Sequence, residues 1–231
     1  MIVSVHIADV GWLTAQRKLL RPLDAGRVPG MTYAEVTFAA ALGARPPNRI
    51  PGPQPGRLGL IAAWEDDTAL DRFLSAHPLA ELLAGGWHVR LQPLHCFGSW
   101  ARLPGLPTEA LPVADEEPVA ALTLGRLRIS RTRPFLHAAA PAERDAAANP
   151  DVLAVTGFGR FTPPRLVSTF SLWRSFAAMR DYAFCESGSH RAAVAVDRAK
   201  PFHRESAFVR FRPLASQGSW DGRDPLAVVE V

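Results

Sequence analysis

Two stretches, residues 90–100 (RLQPLHCFGSW) and 210–220 (RFRPLASQGSW), agree in register at Arg, Pro, Leu, Gly, Ser and Trp. Upstream of each lies a second matched piece. Residues 59–66 (GLIAAWED) and 168–175 (STFSLWRS) each end a strand-like run on a tryptophan, Trp64 or Trp173. An amphipathic helical segment separates the matched pieces in both places. The chain is therefore an internal duplication, and each copy serves as a guide to the other.

Working outward, residues 2–8 alternate Val3, Val5 and Ile7 against Ser4 and His6, the pattern of a first strand. Residues 12–20 read as a helix closed by Pro22, and residues 32–38 as a second strand. Residues 43–56 (GARPPNRIPGPQPG) read as a connector whose proline rings preclude a regular ladder. Residues 58–64 form a third strand. Asp66 or Asp67 caps a helix running through Leu70, Phe73 and Leu74, Pro78 opens a short second turn, and residues 87–97 are the fourth strand. After a proline-rich, acidic-ended linker the order recurs. Strands are expected at 118–129, 152–161, 166–173 and 206–214, with helices at 135–148, 176–184 and 190–199. Thr162-Pro163-Pro164 makes a turn, Ser187-Gly188 a break, and Ser189 an N-cap.

A βαββαβ unit gives a four-stranded antiparallel sheet with two helices on one face. The bare face must be buried, and a tandem copy supplies the cover. The expected fold is α+β: two ferredoxin-like βαββαβ repeats, residues 1–102 and 118–231, joined by a linker at 103–117. They pack sheet to sheet as a single-chain, pseudo-dimeric α+β barrel.

With 48% hydrophobic and 21% charged residues, the 231-residue chain has ample core material and is not a disordered sequence. The net charge is +4, but nearly all the positive charge is arginine, since only Lys18 and Lys200 are lysines. No dense basic run occurs, so the bias reads as composition rather than as an anionic partner. Cys96 and Cys185 occupy non-equivalent positions without CxxC spacing, which favours reduced thiols over a disulfide framework or zinc site. The beginning, MIVSVHIADV, lacks a basic n-region, and no apolar run approaches the roughly 20 residues of a membrane span. The expectation is a soluble, cytoplasmic protein.

No G-x-S-x-G elbow, Walker loop, dinucleotide fingerprint or HExxH is present. GFGRF at 157–161 invites comparison with RNA-recognition modules, which share the βαββαβ order. It lies on the second strand instead of the third, Arg160 takes an aromatic's place, and residues 118–129 contain no aromatic. No nucleic-acid partner is expected.

The histidines are the remaining chemical handles. His6, His88 and His95 fall in strands and His137 in a helix, as core or surface residues. His190 opens a helical segment after a break, with Ala193 and Val194 on the same face. A neutral imidazole projecting from a helix into an apolar cleft makes an axial haem ligand, while the competing reading is that Ser189 and His190 only cap a helix. His203, just before the last strand, is a second candidate, and His77, at the equivalent break in the first copy, a third. Thr169, Ser171 and Trp173 share one face of their strand, with Phe170 and Leu172 on the other. Either the first three line a semipolar cavity between the sheets, or Trp173, like Trp64, serves packing alone. Trp100 and Trp220 read as structural residues at strand ends.

Residues 171–184 (SLWRSFAAMRDYAF), followed by GSHRAA at 188–193 and ESAFVRFRP at 205–213, resemble the spheroidene monooxygenase family of carotenoid-modifying oxygenases. The resemblance is clearest over residues 168–213. It implies a haem-dependent oxygenase that inserts oxygen into an unactivated carbon of a hydrophobic polyene, using O2 and electrons from a ferredoxin-type donor. Carried to this chain, it makes His190 the helical histidine that serves as proximal ligand; the strand reading adds Trp173 beside the cofactor, in a pocket expected between the two sheets. A carotenoid is long and membrane-resident, yet no clear membrane-binding amphipathic helix stands out. A small isoprenoid or polyketide-like substrate fits equally, with at most peripheral membrane contact. The same paired-sheet fold also serves cofactor-free oxygenases or isomerases and non-enzymatic small-molecule-binding proteins.

Overall fold

Each half folds as the duplication predicts. The computed structural model describes residues 1–21, 23–42, 53–160, 162, 165–185 and 188–227. The first half runs β1 (Ile2–Asp9), α1 (Trp12–Leu20), β2 (Met31–Ala40), β3 (Pro53–Trp64), α2 (Asp67–Ala76), α3 (Pro78–Leu83) and β4 (Trp87–Gly98). The second runs β5 (Val119–Leu127), α4 (Thr132–Ala148), β6 (Val152–Arg160), β7 (Leu166–Trp173), α5 (Phe176–Phe184), α6 (Ser189–Ala199) and β8 (His203–Gly218). Pro22, Phe161, the 163–164 turn prolines, Ser187 and most of the 43–56 connector lie outside the described residues. The described end of that connector corrects its reading. Residues 53–56 are already the start of β3, with Pro53 opposite Ala40 and the Val10 N–H donating to the Gly56 carbonyl.

The sheets have the orders β4-β1-β3-β2 and β8-β5-β7-β6, antiparallel throughout. β2 pairs with β6 and β4 with β8, so the two sheets close into one eight-stranded barrel. Closure removes the exposed strand edges that would otherwise recruit another chain. The two seams differ. β4–β8 is registered from Trp87–Gly218 to Gly98–Ala207, whereas among the described residues β2–β6 is registered only at Phe38–Gly159, Ala39–Phe158 and Ala40–Gly157. The shorter seam is reinforced inside the barrel by Glu35 of β2, whose carboxylate meets Arg160 of β6 at 3.0 Å and Arg102 at 3.1 Å.

The repeated Gly-Ser-Trp has a physical reason. Gly98 and Gly218 end β4 and β8 with φ of 81° and 93°, and a Cβ at either would overlap a backbone carbonyl, that of Ser206 or of Gly86. Only glycine takes that conformation there without strain. The chain then delivers Trp100 to the Tyr33 hydroxyl (3.0 Å) and Trp220 against Trp87, ring centroids 5.4 Å apart. The 103–117 segment returns along β4, where the Cys96 N–H donates to the Pro107 carbonyl and the Leu111 N–H to that of Leu94.

The interior is a packed core, with Val5, Val89 and Leu91 from one half meeting Leu122, Phe170, Leu172 and Phe211 from the other. A pocket between the two sheets, expected from the sequence, is therefore not what this space provides: side chains fill it.

Outside the barrel the halves diverge. In the first, Asp66 caps α2 by accepting from the Ala69 N–H, and Leu70, Phe73, Leu79 and Leu83 bury against Leu58, Leu60 and Trp64. Each fully buried Leu or Phe is worth roughly 1.5–3 kcal/mol. In the second, Ser175 caps α5 at the matching position, through the Ala178 N–H. The buried cluster beneath, however, holds only Val119, Ala121, Trp173 and Met179. α6 has no buried residue and packs chiefly on α4 and α5 instead of on a strand. Its N-cap is Gly188, not Ser189, because the Ser189 hydroxyl is spent on the Asp145 carboxylate. No helix among the described residues is long and apolar enough to cross a membrane.

Candidate functional site

Aligning Trp64 with Trp173 sets Leu58, Leu60 and Ala62 of β3 against Val167, Thr169 and Ser171 of β7. Beneath α1–α3 the first set is buried. Beneath α4–α6, Val167 and Thr169 are only half-buried, as are Thr123 of β5 and Val155 of β6. The floor of the second half is thus smaller and more polar, and its helices leave it partly uncovered. This helix–sheet space is the candidate site.

Thr169, Ser171 and Trp173 do share a face, but it is the face turned to the helices. Phe170 and Leu172 point into the barrel, where they are fully buried. The bulkiest purely apolar side chains go where no water reaches, and the hydroxyl-bearing set goes to the side with helical neighbours. There the Trp173 Nε1–H donates to Ser171 Oγ at 2.9 Å, and the Thr169 N–H to Thr123 Oγ1 at 2.9 Å. Tyr182 of α5 stands between Trp173 and His190, its ring 5.0 Å from the first and 5.5 Å from the second. Its hydroxyl donates to the Ala142 carbonyl at 2.7 Å and ties α5 to α4.

The three histidine candidates have different surroundings. His77 uses Nδ1 to accept the Leu79 N–H at 3.1 Å, capping α3, so its proton sits on Nε2 and its lone pair is already committed. His203 sets its Cδ2–Nε2 edge against Gly125, where a Cβ would collide with it, and its Nδ1 is 3.5 Å from Asp197. Phe135 closes the other side at 5.3 Å. His190 contacts the Tyr182 ring and has no hydrogen-bond partner among the described residues. Burial lowers its pKa, which leaves a neutral imidazole at pH 7. His190 and His203 stand at opposite ends of α6, a helix roughly 16 Å long, so they cannot share one ligand atom.

Sequence reasoning missed Arg210, although the repeat carries the signal. Its counterpart Arg90 is held by Asp67 at 3.0 Å and Asp71 at 2.5 Å. At the positions matching those aspartates the second half has Phe176 and Arg180. Arg210 is left over the Phe176 ring at 4.5 Å, with its Nε buried and unpartnered and no carboxylate among the described residues. Burial pulls its pKa down. Glu143 of α4 was missed as well: burial pushes its carboxyl up to about 7. No cluster of three or more His, Cys, Asp or Glu side chains suited to a metal ion occurs among the described residues.

Two ferredoxin-like repeats in one chain, closed sheet to sheet into one eight-stranded barrel with helices outside, define a dimeric α+β barrel fold. The same architecture extends over 98% of the chain in two solved structures of aldoxime dehydratase. One has TM-score 0.57 with 86% of that chain covered; the other, in complex with butyraldoxime, has TM-score 0.56 with 84% covered. At 9% identity these establish the fold alone. No family model matches the chain. The spheroidene monooxygenase of Rubrivivax gelatinosus is 32% identical over 204 residues, covering 86% of this chain and 77% of that one. That of Rhodobacter capsulatus is 30% identical over 177 residues, covering 73% and 71%. The chain belongs to the spheroidene monooxygenase family and is an enzyme of the monooxygenase class.

Proposed function

We propose that the protein is a haem-dependent monooxygenase acting on a carotenoid or related isoprenoid polyene, with its site in the helix–sheet space of the second half. One observation carries the reading. A neutral, hydrogen-bond-free imidazole, His190, and a carboxylate-free guanidinium, Arg210, border a space that the first half fills with leucines and the second does not.

These residues fit the group. His190 would hold the iron, Arg210 would face a haem carboxylate, and Thr123 and Thr169 would form the floor. Bound there, haem supplies the activation of O2 for insertion into an unactivated carbon, with electrons from a ferredoxin-type donor. The chain's own contribution is positional. Trp173, Met179 and Phe208 form an apolar wall that orients a polyene and excludes water. Burial keeps the proton off His190, and Glu143 holds one on its carboxyl up to about pH 7, while burial first, and the Asp145 carboxylate after it, raises the pKa of the Tyr182 phenol. The reading places the enzyme in the cytoplasm, with membrane contact at most peripheral.

Haem titration of the apoprotein, followed by Soret absorbance, tests the proposal. Wild type is expected to take up one equivalent with a saturable shift, and His190→Ala to lose it. A shift that survives in His190→Ala moves the ligand to His203 or His77. No saturable binding by wild type sinks the haem reading. Substrate class is tested separately, by turnover of a carotenoid with O2 and reduced ferredoxin.

A further inference from the structure

The helix α1 is inverted relative to its burial. Trp12, Gln16 and Leu20 recur every four residues along one stripe, with Leu13 and Arg17 beside it, and all five are exposed. Trp12 is 57% exposed, Leu13 62% and Leu20 71%, whereas the small Ala15 faces the sheet. A lone exposed leucine needs no explanation, but three large apolar side chains on one turn-spanning stripe do. The charge on the helix itself has one sign. Arg17 and Lys18 close the helix, Arg21 follows, and the helix has no acidic residue. Behind it opens a cleft of about 450 Å³ whose mouth carries Lys18, Arg21 and Arg27 over Leu23, Val28 and Leu79. Asp24 is the carboxylate at this cleft and is taken up by Arg27 at 3.4 Å.

We propose that α1 and this cleft form a docking surface for an anionic lipid bilayer. Trp12, Leu13 and Leu20 enter the interface, and Lys18 and Arg21 take a lipid phosphate at the cleft mouth. An apolar stripe with an aromatic residue, bordered by basic side chains, has the chemistry of a helix lying in the headgroup region. A polar protein partner would need carboxylates placed opposite the cations and would leave Trp12 in water, so the bilayer answers both features. α1 covers β2 and β3 while α4 covers β6, and β2 and β6 are neighbours. The surface therefore borders the second half's helix layer across the short seam. The inference stands apart from haem binding, since it uses no residue of that site.

Sedimentation with sucrose-loaded vesicles tests it, comparing phosphatidylglycerol–phosphatidylcholine mixtures with pure phosphatidylcholine. Wild type is expected to pellet with the anionic vesicles at low salt and to be released by added salt. The partition coefficient should fall at least tenfold in Trp12→Ser/Leu20→Ser and in Lys18→Glu/Arg21→Glu, with circular dichroism and Tm unchanged. Brominated lipid should quench the Trp12 emission. The proposal is overturned by no binding to anionic vesicles, by equal binding to pure phosphatidylcholine, or by variants that pellet like wild type. Concentration-dependent self-association abolished by Trp12→Ser, without vesicle binding, would assign the stripe to a second copy of the chain instead. Haem titration without vesicles reads the other proposal independently.

Discussion

Thr169 is one of the half-buried floor residues by which the second helix layer differs from the first. Thr169 stands where the first half has the buried Leu60. Thr169→Leu should restore apolar packing beneath α4–α6, leave Tm unchanged or slightly higher, and weaken haem uptake at least tenfold in the Soret titration. Glu143 offers a pH test. An unperturbed glutamate titrates at 4.5 and this one at about 7, so between those values the folded chain holds a proton that the unfolded chain has released. Stability from this group is present below 4.5 and is lost as pH rises towards 7. Denaturant melts of Glu143→Gln should show it more stable than wild type at pH 8 by roughly 1–3 kcal/mol, with the advantage gone near pH 4.5. Of the residues placed in the proposed site, His190, Ser171, Thr169 and Trp173 can be singled out from the sequence alone, although the face that the strand residues turn to the helices cannot. Arg210 was legible only by difference, because a cation shows itself as unpaired once its matched copy is seen to have two aspartates.

At the scale of elements, hydrophobic periodicity located β7, α1 and α5 to the residue, because caps and prolines mark their ends. It could not say which face of β7 meets which partner. Alternation assigns Thr169, Ser171 and Trp173 to a common side, and only bulk decides that Phe170 and Leu172 take the sealed one. Nor does the sequence of α6 reveal that it rests on α4 and stands off the strands, since its alanine-rich pattern suits either neighbour. The junction of β5 and β8 gives a further prediction. A Cβ at Gly125 overlaps the His203 ring, so Gly125→Ala should cost about 1–3 kcal/mol. Adding His203→Ala should recover much of that loss, and neither change should abolish haem uptake if His190 is the ligand. A sum of fully additive losses in denaturant melts would count against this contact.

For the whole molecule, the two seams set where the barrel opens. Amide hydrogen exchange at residues 38–40 and 157–159 is expected to be faster than along β4–β8, which is registered over most of its length. Glu35 guards the weaker seam. Burial pushes its carboxyl pKa up while Arg160 and Arg102 pull it down. Glu35→Gln, which strips a counter-charge from two guanidinium groups, should destabilise by on the order of 3 kcal/mol and raise exchange at this seam before the other. Closure within one chain has a further consequence, for stoichiometry. A homodimer of single repeats carries every substitution twice and so presents two identical cavities related by its axis. Here each half is encoded separately, so Leu60 can stand in one helix layer where Thr169 stands in the other, and a substitution in either half alters only one of the two layers.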